Sequence, residues 1–342
     1  MSLRICIIIN LLPIKMKAVF TICSNNYLGQ AKVLMDSINE FAGDYVTYVI
    51  LCDKMDSQID YSLIKAQIIE VEKLEIENFQ WMIQHYSIVE LNTAIKPFSI
   101  EYLFNRNYEY VIYLDPDICV YNSFKCIENE LGDGNVLLTP HSYSPIGIND
   151  KKPNDCTFLN YGIYNLGFIA LKYTRISLDL LQWWKTILSK YCVGNETLGL
   201  FVDQLPMNLA PLYFEGVIIS RNRGLNMSWW NIHDRKLIEK KDNIKMIDDG
   251  SNLVFFHFSN YKVSEPDYFS QHRYNGKCIS DYSLNLKCLY DEYRIKLIDA
   301  NELYSKCKCY YNSYSLNLKI KFFIRDKIKM ISYKLAKIAS KI

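Results

Sequence analysis

The sequence feature that most constrains the fold is an alternation of short apolar runs with longer amphipathic segments near the start of the chain. The runs KAVFTIC (17–23), YVTYVILCD (45–53) and AQIIEV (66–71) are rich in β-branched and aromatic residues. Such runs are typical of strands that are buried on both faces of a parallel sheet. Between the first two, residues 27–42 repeat apolar side chains at helical spacing. This order predicts an α/β fold with a mostly parallel central sheet and helices on both sides.

The alternation continues to about residue 262, and helical patterns rich in Lys and Tyr follow it. Further strands are expected at 109–121, 135–141, 160–171 and 252–260, and further helices at 76–107, 177–192 and 198–212. We therefore divide the chain into an N-terminal extension or tag (1–16), an α/β domain (17–262) and a helical C-terminal extension (263–342). Met16 opens the sequence MKAVFTIC, which is typical of a natural start.

Net charge and cysteine spacing narrow the class of protein. A formal net charge of +2 gives no general attraction to nucleic acid, so we expect no nucleic-acid partner. The 11 cysteines follow no regular CxxC or Cys/His pattern, and the close pair Cys307 and Cys309 has the wrong spacing for a zinc knuckle. We expect reduced, mostly buried thiols in a cytoplasmic protein. No run reaches about 18 apolar residues, which predicts the absence of a transmembrane helix.

Two aspartates, Asp115 and Asp117, follow the apolar run YVIYL and flank Pro116. The carboxyl end of a parallel strand is the edge at which ligands bind in open α/β sheets. Two carboxylates held there repel each other unless a cation lies between them. Mg²⁺ and Mn²⁺ prefer such oxygen ligands, and Pro116 stiffens the turn. A solvated turn with two surface aspartates is the alternative, but the preceding apolar strand favours a metal site.

Five segments resemble, in order and in position, those of glycosyltransferases with the GT-A fold: FTICSNNYLGQAKVLMDSI, YVIYLDPDICVY, YGIYNLGFIAL, FVDQLPMNL and VFFHFSNYK. The family they look most like is family eight, which includes glycogenin and bacterial lipopolysaccharide galactosyltransferases. The resemblance covers residues 17–262. It implies a GT-A, Rossmann-like fold of the nucleotide-diphospho-sugar transferases, and a nucleotide-sugar donor, with a UDP-sugar expected. No GxGxxG motif follows the first strand, which argues against a dinucleotide-binding fold.

The resemblance implies a metal site formed by Asp115, Asp117 and His257. An imidazole ligand favours Mn²⁺ over Mg²⁺ as the cofactor. A core histidine bonded to a backbone carbonyl is the alternative interpretation of His257. The family continues after this histidine with a glycine and a KPW-like stretch, whereas this chain has Asn260 and Lys262 nearby.

The resemblance also implies which residues bind the nucleotide. Contacts to uridine and ribose are expected from Thr21, Cys23, Ser24, Asn25 and Tyr27, together with Asp53 at the end of the second strand. Loop capping is the alternative for this segment, because Ser24 or Asn25 is equally suited to cap the following helix.

The donor sugar and the diphosphate have their own expected partners. By resemblance, Asn165 and Asp203 bond the sugar hydroxyls, and Gln204 lies beneath the anomeric carbon. Gly167 lets the backbone approach closely. Lys96 faces the donor and offsets the charge of the diphosphate. The alternatives are a helix N-terminus for Asp203 and an exposed helix position for Lys96.

Two later segments suggest what the acceptor is and where it lies. LNMSWWNIHDR (225–235) combines two tryptophans with amide side chains, an arrangement that suits a carbohydrate but is also common in cores. The tail 317–342 has eight Lys or Arg and one acidic residue, and its apolar residues can share one helical stripe. This pattern is typical of a helix on an anionic membrane surface. The alternative is a closing helix that packs on the protein itself.

Taken together, the residues and the resemblance predict a metal-dependent hexosyltransferase of the EC 2.4 type. We expect it to retain anomeric configuration and to transfer sugar to a glycan or lipid-linked acceptor. Its expected setting is bacterial cell-surface polysaccharide or lipopolysaccharide synthesis, on the inner face of the cytoplasmic membrane. A sugar-1-phosphate nucleotidyltransferase is the nearest alternative, although TICSNNYLGQ lacks the glycine-rich basic loop of that class. The other alternative is a degenerate, non-catalytic protein that keeps the fold and binds a nucleotide sugar.

Overall fold

The computed structural model describes residues 16–148, 153–239, 244–270, 277–304 and 307–311, and single positions or short runs between 320 and 338. Its strands are β1 (Lys17–Cys23), β2 (Val46–Leu51), β3 (Gln67–Glu70), β4 (Tyr110–Leu114), β5 (Ile118–Val120), β6 (Val136–Pro140), β7 (Tyr164–Lys172), β8 (Gly194–Asn195), β9 (Leu200–Phe201), β10 (Val217–Ile219), β11 (Leu237–Glu239), β12 (Lys245–Ile247) and β13 (Phe255–His257). Its helices are α1 (Leu28–Phe41), α2 (Phe79–His85), α3 (Ile88–Ala94), α4 (Lys96–Phe104), α5 (Lys125–Leu131), α6 (Asp155–Tyr161), α7 (Arg175–Tyr191), α8 (Ala210–Tyr213) and α9 (Leu284–Tyr304).

Seven strands form the central sheet, in the order β10-β6-β7-β4-β1-β2-β3. Neighbouring strands pair in parallel except at β7, which is antiparallel to both β4 and β6. Apolar side chains from both faces of the sheet are buried against helices. The predicted α/β fold with a mostly parallel sheet is therefore confirmed.

The predicted strand 109–121 is divided into β4 and β5 by the turn that carries the two aspartates. The N–H of Ile118 donates to the carbonyl oxygen of Asp115 (3.1 Å), which closes the turn. Beyond it β5 leaves the central sheet and pairs antiparallel with β13, so that Ile118 lies opposite His257. The aspartates thus lie where the chain turns from one sheet to another.

One predicted helix and the start of one predicted strand are wrong, because glycines and prolines interrupt the apolar pattern. The segment 198–212, predicted as a helix, instead contains the strand β9, which pairs with β8 just before the segment, then a 3₁₀ turn and the start of the four-residue helix α8. Gly199 has a φ of +66°, and Pro206 lies at the start of the 3₁₀ turn. The strand predicted at 160–171 begins only at Tyr164, because α6 precedes it and Gly162 ends that helix with a φ of +124°.

The first helix of the C-terminal extension packs on the α/β domain. Buried side chains of α9 form one cluster with residues of the β5–β13 sheet. The rings of Tyr293 and Phe258 stack with their centroids 3.8 Å apart and an interplanar angle of 2°. Phe258 directly follows His257, so α9 supports the strand that carries the predicted metal ligand.

Within the described part of the chain, no helix is both long enough and apolar enough to cross a membrane. The cysteines described there are all free. The predicted N-terminal extension, apart from Met16, lies outside the described residues.

Candidate functional site

Asp115, Asp117 and His257 meet at the carboxyl end of β4. The Nε2 atom of His257 lies 3.0 Å from Oδ1 of Asp117 and 3.6 Å from Oδ2 of Asp115. One ligand atom from each residue lies within 4.8 Å of the others, and this is the group of potential metal ligands found among the described residues. Two carboxylate oxygens and one imidazole nitrogen form a donor set that fits Mn²⁺, and the partly exposed carboxylates leave positions open for a ligand.

The backbone of the short strand that carries His257 is bonded on both sides. The N–H of His257 donates to the carbonyl oxygen of Met227 (2.8 Å), and the N–H of Phe258 donates to that of Asp117 (2.9 Å). Burial lowers the pKa of His257, but the carboxylates of Asp117 and Asp115 raise it, and the net pKa lies above the usual value. The two carboxylates therefore stabilise positive charge at this position, which is the electrostatic requirement of a cation site.

Gly167 provides the space that the His257 ring occupies. A Cβ at this glycine would lie 2.5 Å from Cε1 and 2.8 Å from Nδ1 of His257. The carbonyl oxygen of Gly167 also accepts from the N–H of Asp115 (2.8 Å), so β7 contacts two of the three potential ligands. The structure therefore adds a steric role to the close backbone approach predicted for this glycine.

Gly167→Ala is expected to weaken Mn²⁺ binding by ~10–100-fold, the range typical of lost support around a metal ligand. The new methyl group must displace the His257 ring. Mn²⁺ affinity measured by calorimetry or by electron paramagnetic resonance checks this. Gly194→Ala is the matched control, because its Cβ would meet its nearest neighbour, Phe201, at an ordinary 3.9 Å. Equal Mn²⁺ affinities in the two variants would contradict the assignment.

A cleft of about 190 Å³ opens beside the acidic pair. It is lined by the end of β1 and its loop (Ile22, Cys23, Ser24, Asn26 and Tyr27), by α3 (Ile88, Val89, Asn92 and Thr93) and by β4 with its turn (Tyr113, Asp115, Pro116 and Asp117). Burial raises the pKa of Tyr27, and the carboxylates of Asp117 and Asp115 raise it further. The predicted nucleotide loop and the acidic pair Asp115 and Asp117 therefore share one cleft.

The predicted nucleotide-binding residues fall into two groups. Cys23, Ser24 and Tyr27 line the cleft. Asn25, Thr21 and Asp53 are buried and are not among the residues that line it. The side chain of Asn25 donates to the carbonyl oxygen of Lys54 (2.9 Å) and accepts from the hydroxyl of Tyr61 (2.7 Å). Asn25 thus stabilises the loop after β1 through bonds to residues outside the cleft.

Sequence reasoning missed the wall that α3 contributes. Asn92 donates from Nδ2 to Oγ of Ser24 (3.0 Å), which ties the helix to the loop after β1. Its Oδ1 atom is buried and has no partner among the described residues. Only the position of α3 beside the loop identifies Asn92, because an asparagine within a helical pattern gives no signal of its own.

Lys96 is buried and does not line the cleft. Its Nζ atom donates to a carboxylate oxygen of Asp203 and to the carbonyl oxygen of Leu166 (2.7 Å). It also lies 4.2 Å from the ring centroid of Tyr113, whose hydroxyl donates to Oδ1 of Asp115 (2.5 Å). Burial raises the pKa of Asp203, and the Lys96 ammonium opposes that shift. The Lys96 ammonium is therefore separated from the Asp115 carboxylate by the side chain of Tyr113.

Asn165 and Gln204, both predicted at the donor sugar, belong to one buried network of amides. Asn165 Nδ2 donates to Nε2 of His141 (3.1 Å), and its Oδ1 accepts from Asn226 Nδ2 (3.0 Å). Gln204 Oε1 accepts from the N–H of Leu166 (3.1 Å), and its Nε2 donates to the carbonyl oxygen of Tyr161 (2.7 Å). The orientation of each amide is thus fixed by its neighbours.

His141 anchors this network and is a residue that sequence reasoning missed. Burial lowers its pKa to about 4, so the ring is neutral near pH 7. Because Nε2 accepts from Asn165, the proton is on Nδ1, which lies 3.3 Å from the carbonyl oxygen of Ile163. A neutral ring with a fixed tautomer keeps the amide of Asn165 in one orientation.

The free energy of unfolding is expected to fall as the pH drops from 6.5 towards 5, by about 2 kcal/mol through His141 alone. The unfolded chain binds a proton in this range, whereas the folded protein, with a pKa of about 4 for His141, does not. The contribution of His141 to the free energy of unfolding is therefore fully present above pH 6.5 and decreases below it. Urea unfolding at pH 7.0 and 5.0 should show a smaller decrease for His141→Asn. The exposed His85 provides the control His85→Asn, which should retain the wild-type dependence.

Trp230 lies between the amide network and the metal cluster. Its ring contacts His141 and His257 edge-on, with centroid distances of 5.5 and 5.2 Å. Nearby, Nε2 of His233 lies 3.0 Å from Oγ of Ser142 on the protein surface. In the predicted acceptor segment, Trp230 is thus buried between two histidines, whereas the polar side chain of His233 is partly exposed.

No protein-family model matches the chain. The protein YfnF of Bacillus subtilis (strain 168), described as uncharacterized, is 28% identical over 247 residues, which cover 71% of this chain and 81% of YfnF. Among solved structures, the chain is similar to apo WbbM, a bifunctional glycosyltransferase, with a TM-score of 0.49, 14% identity and coverage of 86% of this chain and 53% of WbbM. It is also similar to an active-site mutant of LgtC (TM-score 0.46, 14% identity, 81% and 94% covered). GlyE of Streptococcus pneumoniae TIGR4, also described as a glycosyltransferase, is a further similar structure (TM-score 0.43, 15% identity, 88% of this chain and 66% of GlyE covered).

Proposed function

We propose that this protein is a metal-dependent glycosyltransferase with the GT-A fold that uses a nucleotide-sugar donor. The observation that carries the proposal is the meeting of two carboxylates and an imidazole at one end of a cleft whose other wall is the loop after β1. A diphosphate needs a cation, and a nucleoside attached to it needs a groove leading away from that cation. This cleft offers ligands for the cation at Asp115 and Asp117 and a groove beside them. A divalent ion bound there would stabilise the negative charge of the departing nucleoside diphosphate.

The residues around the cleft have distinct roles in this proposal. Asp115, Asp117 and His257 hold Mn²⁺ or Mg²⁺. The buried Lys96 keeps a positive charge behind Tyr113 and Asp115, which supports the site electrostatically instead of contacting the donor.

The donor sugar lies against the amide network. Asn165 and Gln204 are buried and accept from the N–H groups of Gly167 and Leu166, so they shape β7 beneath the sugar instead of contacting it. Asp203, held by Lys96, orients the chain next to Gln204. No carboxylate outside the metal cluster lines the described cleft. This is in keeping with transfer that retains anomeric configuration without a dedicated general base.

The experiment that tests the proposal is calorimetric titration of the full chain with UDP, GDP and CDP, each with and without Mn²⁺. We expect one nucleoside diphosphate, UDP, to bind in a Mn²⁺-dependent manner. Release of UDP from UDP-sugars with and without added glycan acceptors then separates a transferase from a binding protein. Release of pyrophosphate from UTP and a sugar 1-phosphate would identify a nucleotidyltransferase instead. Absence of Mn²⁺-dependent binding of any of the three would contradict the proposal.

We also propose that the tail 317–342 binds an anionic membrane surface and brings the cleft to a lipid-linked acceptor on the cytoplasmic face. The described tail positions are helical, and their aliphatic side chains are 43–61% exposed. Arg325 Nη1 lies 3.2 Å from a carboxylate oxygen of Glu90 on α3, one wall of the cleft. Exposed apolar side chains within a basic helix are the features that membrane-surface helices use.

Replacement of Ile328 and Ile331 by Asp is expected to lower binding to phosphatidylglycerol-containing vesicles by at least about tenfold. The double variant loses apolar insertion and adds negative charge next to anionic lipid. Vesicle sedimentation measures the effect, and UDP affinity should be unchanged. Leu212→Asp, at a 79% exposed leucine of α8, is the control. Equal sedimentation of all three proteins would support a tail that packs only on the protein.

A further inference from the structure

The segment after α9 contacts the back of the nucleotide loop. We name residues 307–311 the C-terminal clip. The N–H of Tyr310 donates to Oδ1 of Asp53 (2.8 Å), and Sγ of Cys309 donates to Oδ1 of Asn26 (2.7 Å). Asn26 lines the cleft, and Asp53 lies directly behind the loop that contains it. The clip therefore reaches the predicted nucleoside end of the cleft from almost 300 residues away in the chain.

Asp53 joins three separate pieces of backbone. Its Oδ2 accepts from the N–H of Asn25 (3.2 Å), and its Oδ1 accepts from the N–H groups of Lys54 (3.0 Å) and Tyr310 (2.8 Å). The side chain is completely buried. A buried carboxylate requires hydrogen-bond donors, so the three N–H groups and the carboxylate hold one another in place. Loss of the Tyr310 donor would leave the Asp53 carboxylate, which accepts from the loop after β1 through Asn25, with two of these donors instead of three.

The clip itself is well anchored. Tyr311 is buried, its ring contacts Phe79 edge-on at 5.6 Å, and its hydroxyl donates to a carboxylate oxygen of Glu72. Nζ of Lys54 lies 4.3 Å from the centroid of the Tyr310 ring. Anchoring on α2 and on the turn after β3 makes the clip a fixed support for the loop.

We propose that the C-terminal clip positions the nucleoside half of the donor site. Through Asp53 and Asn26 it holds the loop after β1 in the shape that receives base and ribose, while Asp115, Asp117 and His257 are held by bonds among β5, β7, β13 and Met227. Tyr310 and Asp53 are positioning residues, since neither lines the cleft. This inference rests on the proposed function and adds a specific prediction: the clip should affect recognition of the nucleoside and not that of the diphosphate.

The test compares two ligands that share the diphosphate, UDP and inorganic pyrophosphate, each titrated calorimetrically in the presence of Mn²⁺. Tyr310→Pro removes the N–H donor, and Asp53→Asn removes the charge that the donor contacts. Both are expected to weaken UDP binding by about tenfold, the effect of one hydrogen bond to a charged group. Pyrophosphate affinity should stay within about twofold of the wild type. Tyr310→Phe is the matched control, because it keeps both the N–H and the ring that Lys54 contacts.

Three outcomes overturn the inference. Equal weakening of UDP and pyrophosphate would mean general destabilisation, and unchanged UDP binding would mean that the clip has no role at the site. A wild-type protein that binds neither ligand with Mn²⁺ would contradict the proposed function and the clip with it. Cys309→Ala, which removes only the thiol that contacts Asn26, keeps the test decisive if Tyr310→Pro does not fold. We expect it to weaken UDP binding alone, by about threefold.

Discussion

Asp117→Asn is expected to abolish Mn²⁺-dependent binding of nucleoside diphosphate and to lower sugar transfer by ~10³-fold. The amide preserves the shape of the side chain but removes the charged oxygen that lies 3.0 Å from Nε2 of His257. A divalent ion contributes several kcal/mol of charge stabilisation, and each 1.36 kcal/mol corresponds to a factor of ten in rate. Calorimetry with UDP and a transfer assay over a range of Mn²⁺ concentrations measure both effects.

The control for this variant is Asp133→Asn, at an exposed aspartate that does not line the cleft. It should bind UDP and Mn²⁺ like the wild type. The Asp117→Asn protein should remain folded, because the backbone bond from the N–H of Phe258 to the carbonyl oxygen of residue 117 does not involve the side chain. Retention of Mn²⁺-dependent UDP binding in this variant would remove the basis of the metal assignment.

Lys96→Met is expected to destabilise the protein by about 3–5 kcal/mol, the cost of leaving a buried carboxylate without its cation. The side chains of Lys96 and Asp203 are only 2% and 4% exposed, so water cannot replace the lost partner. Lys185→Met is the matched control. Its partner Glu101 is 35% exposed, and the loss should stay below about 1 kcal/mol. Urea unfolding of the three proteins gives the comparison.

The double variant Lys96→Met, Asp203→Asn separates folding from catalysis. Removing both charges should restore most of the stability, because no unpaired buried charge remains. Transfer should stay about tenfold below the wild type, because Tyr113, whose hydroxyl donates to Asp115, loses the ammonium that lies 4.2 Å from its ring centroid. Full activity in the double variant would mean that the pair serves folding alone.

The sequence predicts the parts of the site that depend on short-range patterns. The apolar run YVIYL followed by two aspartates was sufficient to expect β4 and a metal site at its end. The helix α1 and the strands β1 to β3 are likewise local patterns of apolar residues. A strand position and a turn composition are properties of ten or so neighbouring residues, which a sequence displays directly.

The remaining features depend on contacts between distant segments. Only the antiparallel register of β5 with β13 places His257 beside Asp117, and without the family resemblance no pattern in the sequence connects them. The burial of Lys96 and the steric role of Gly167 follow from how β7 packs. No sequence pattern predicts the C-terminal clip, because its bond to Asp53 is made by a backbone N–H, a group that every residue except proline has.

The support that α9 and the C-terminal clip give to the cleft has a consequence for synthesis of the protein. The acidic pair leaves the ribosome when only a third of the chain has been made, but Tyr293 and Tyr310 follow almost 200 residues later. At ~5–20 residues per second, that interval lasts roughly 10–40 s. During it the nascent chain has its acidic residues but no finished nucleotide pocket. Premature termination would thus release a product whose cleft lacks the contacts of α9 and the C-terminal clip.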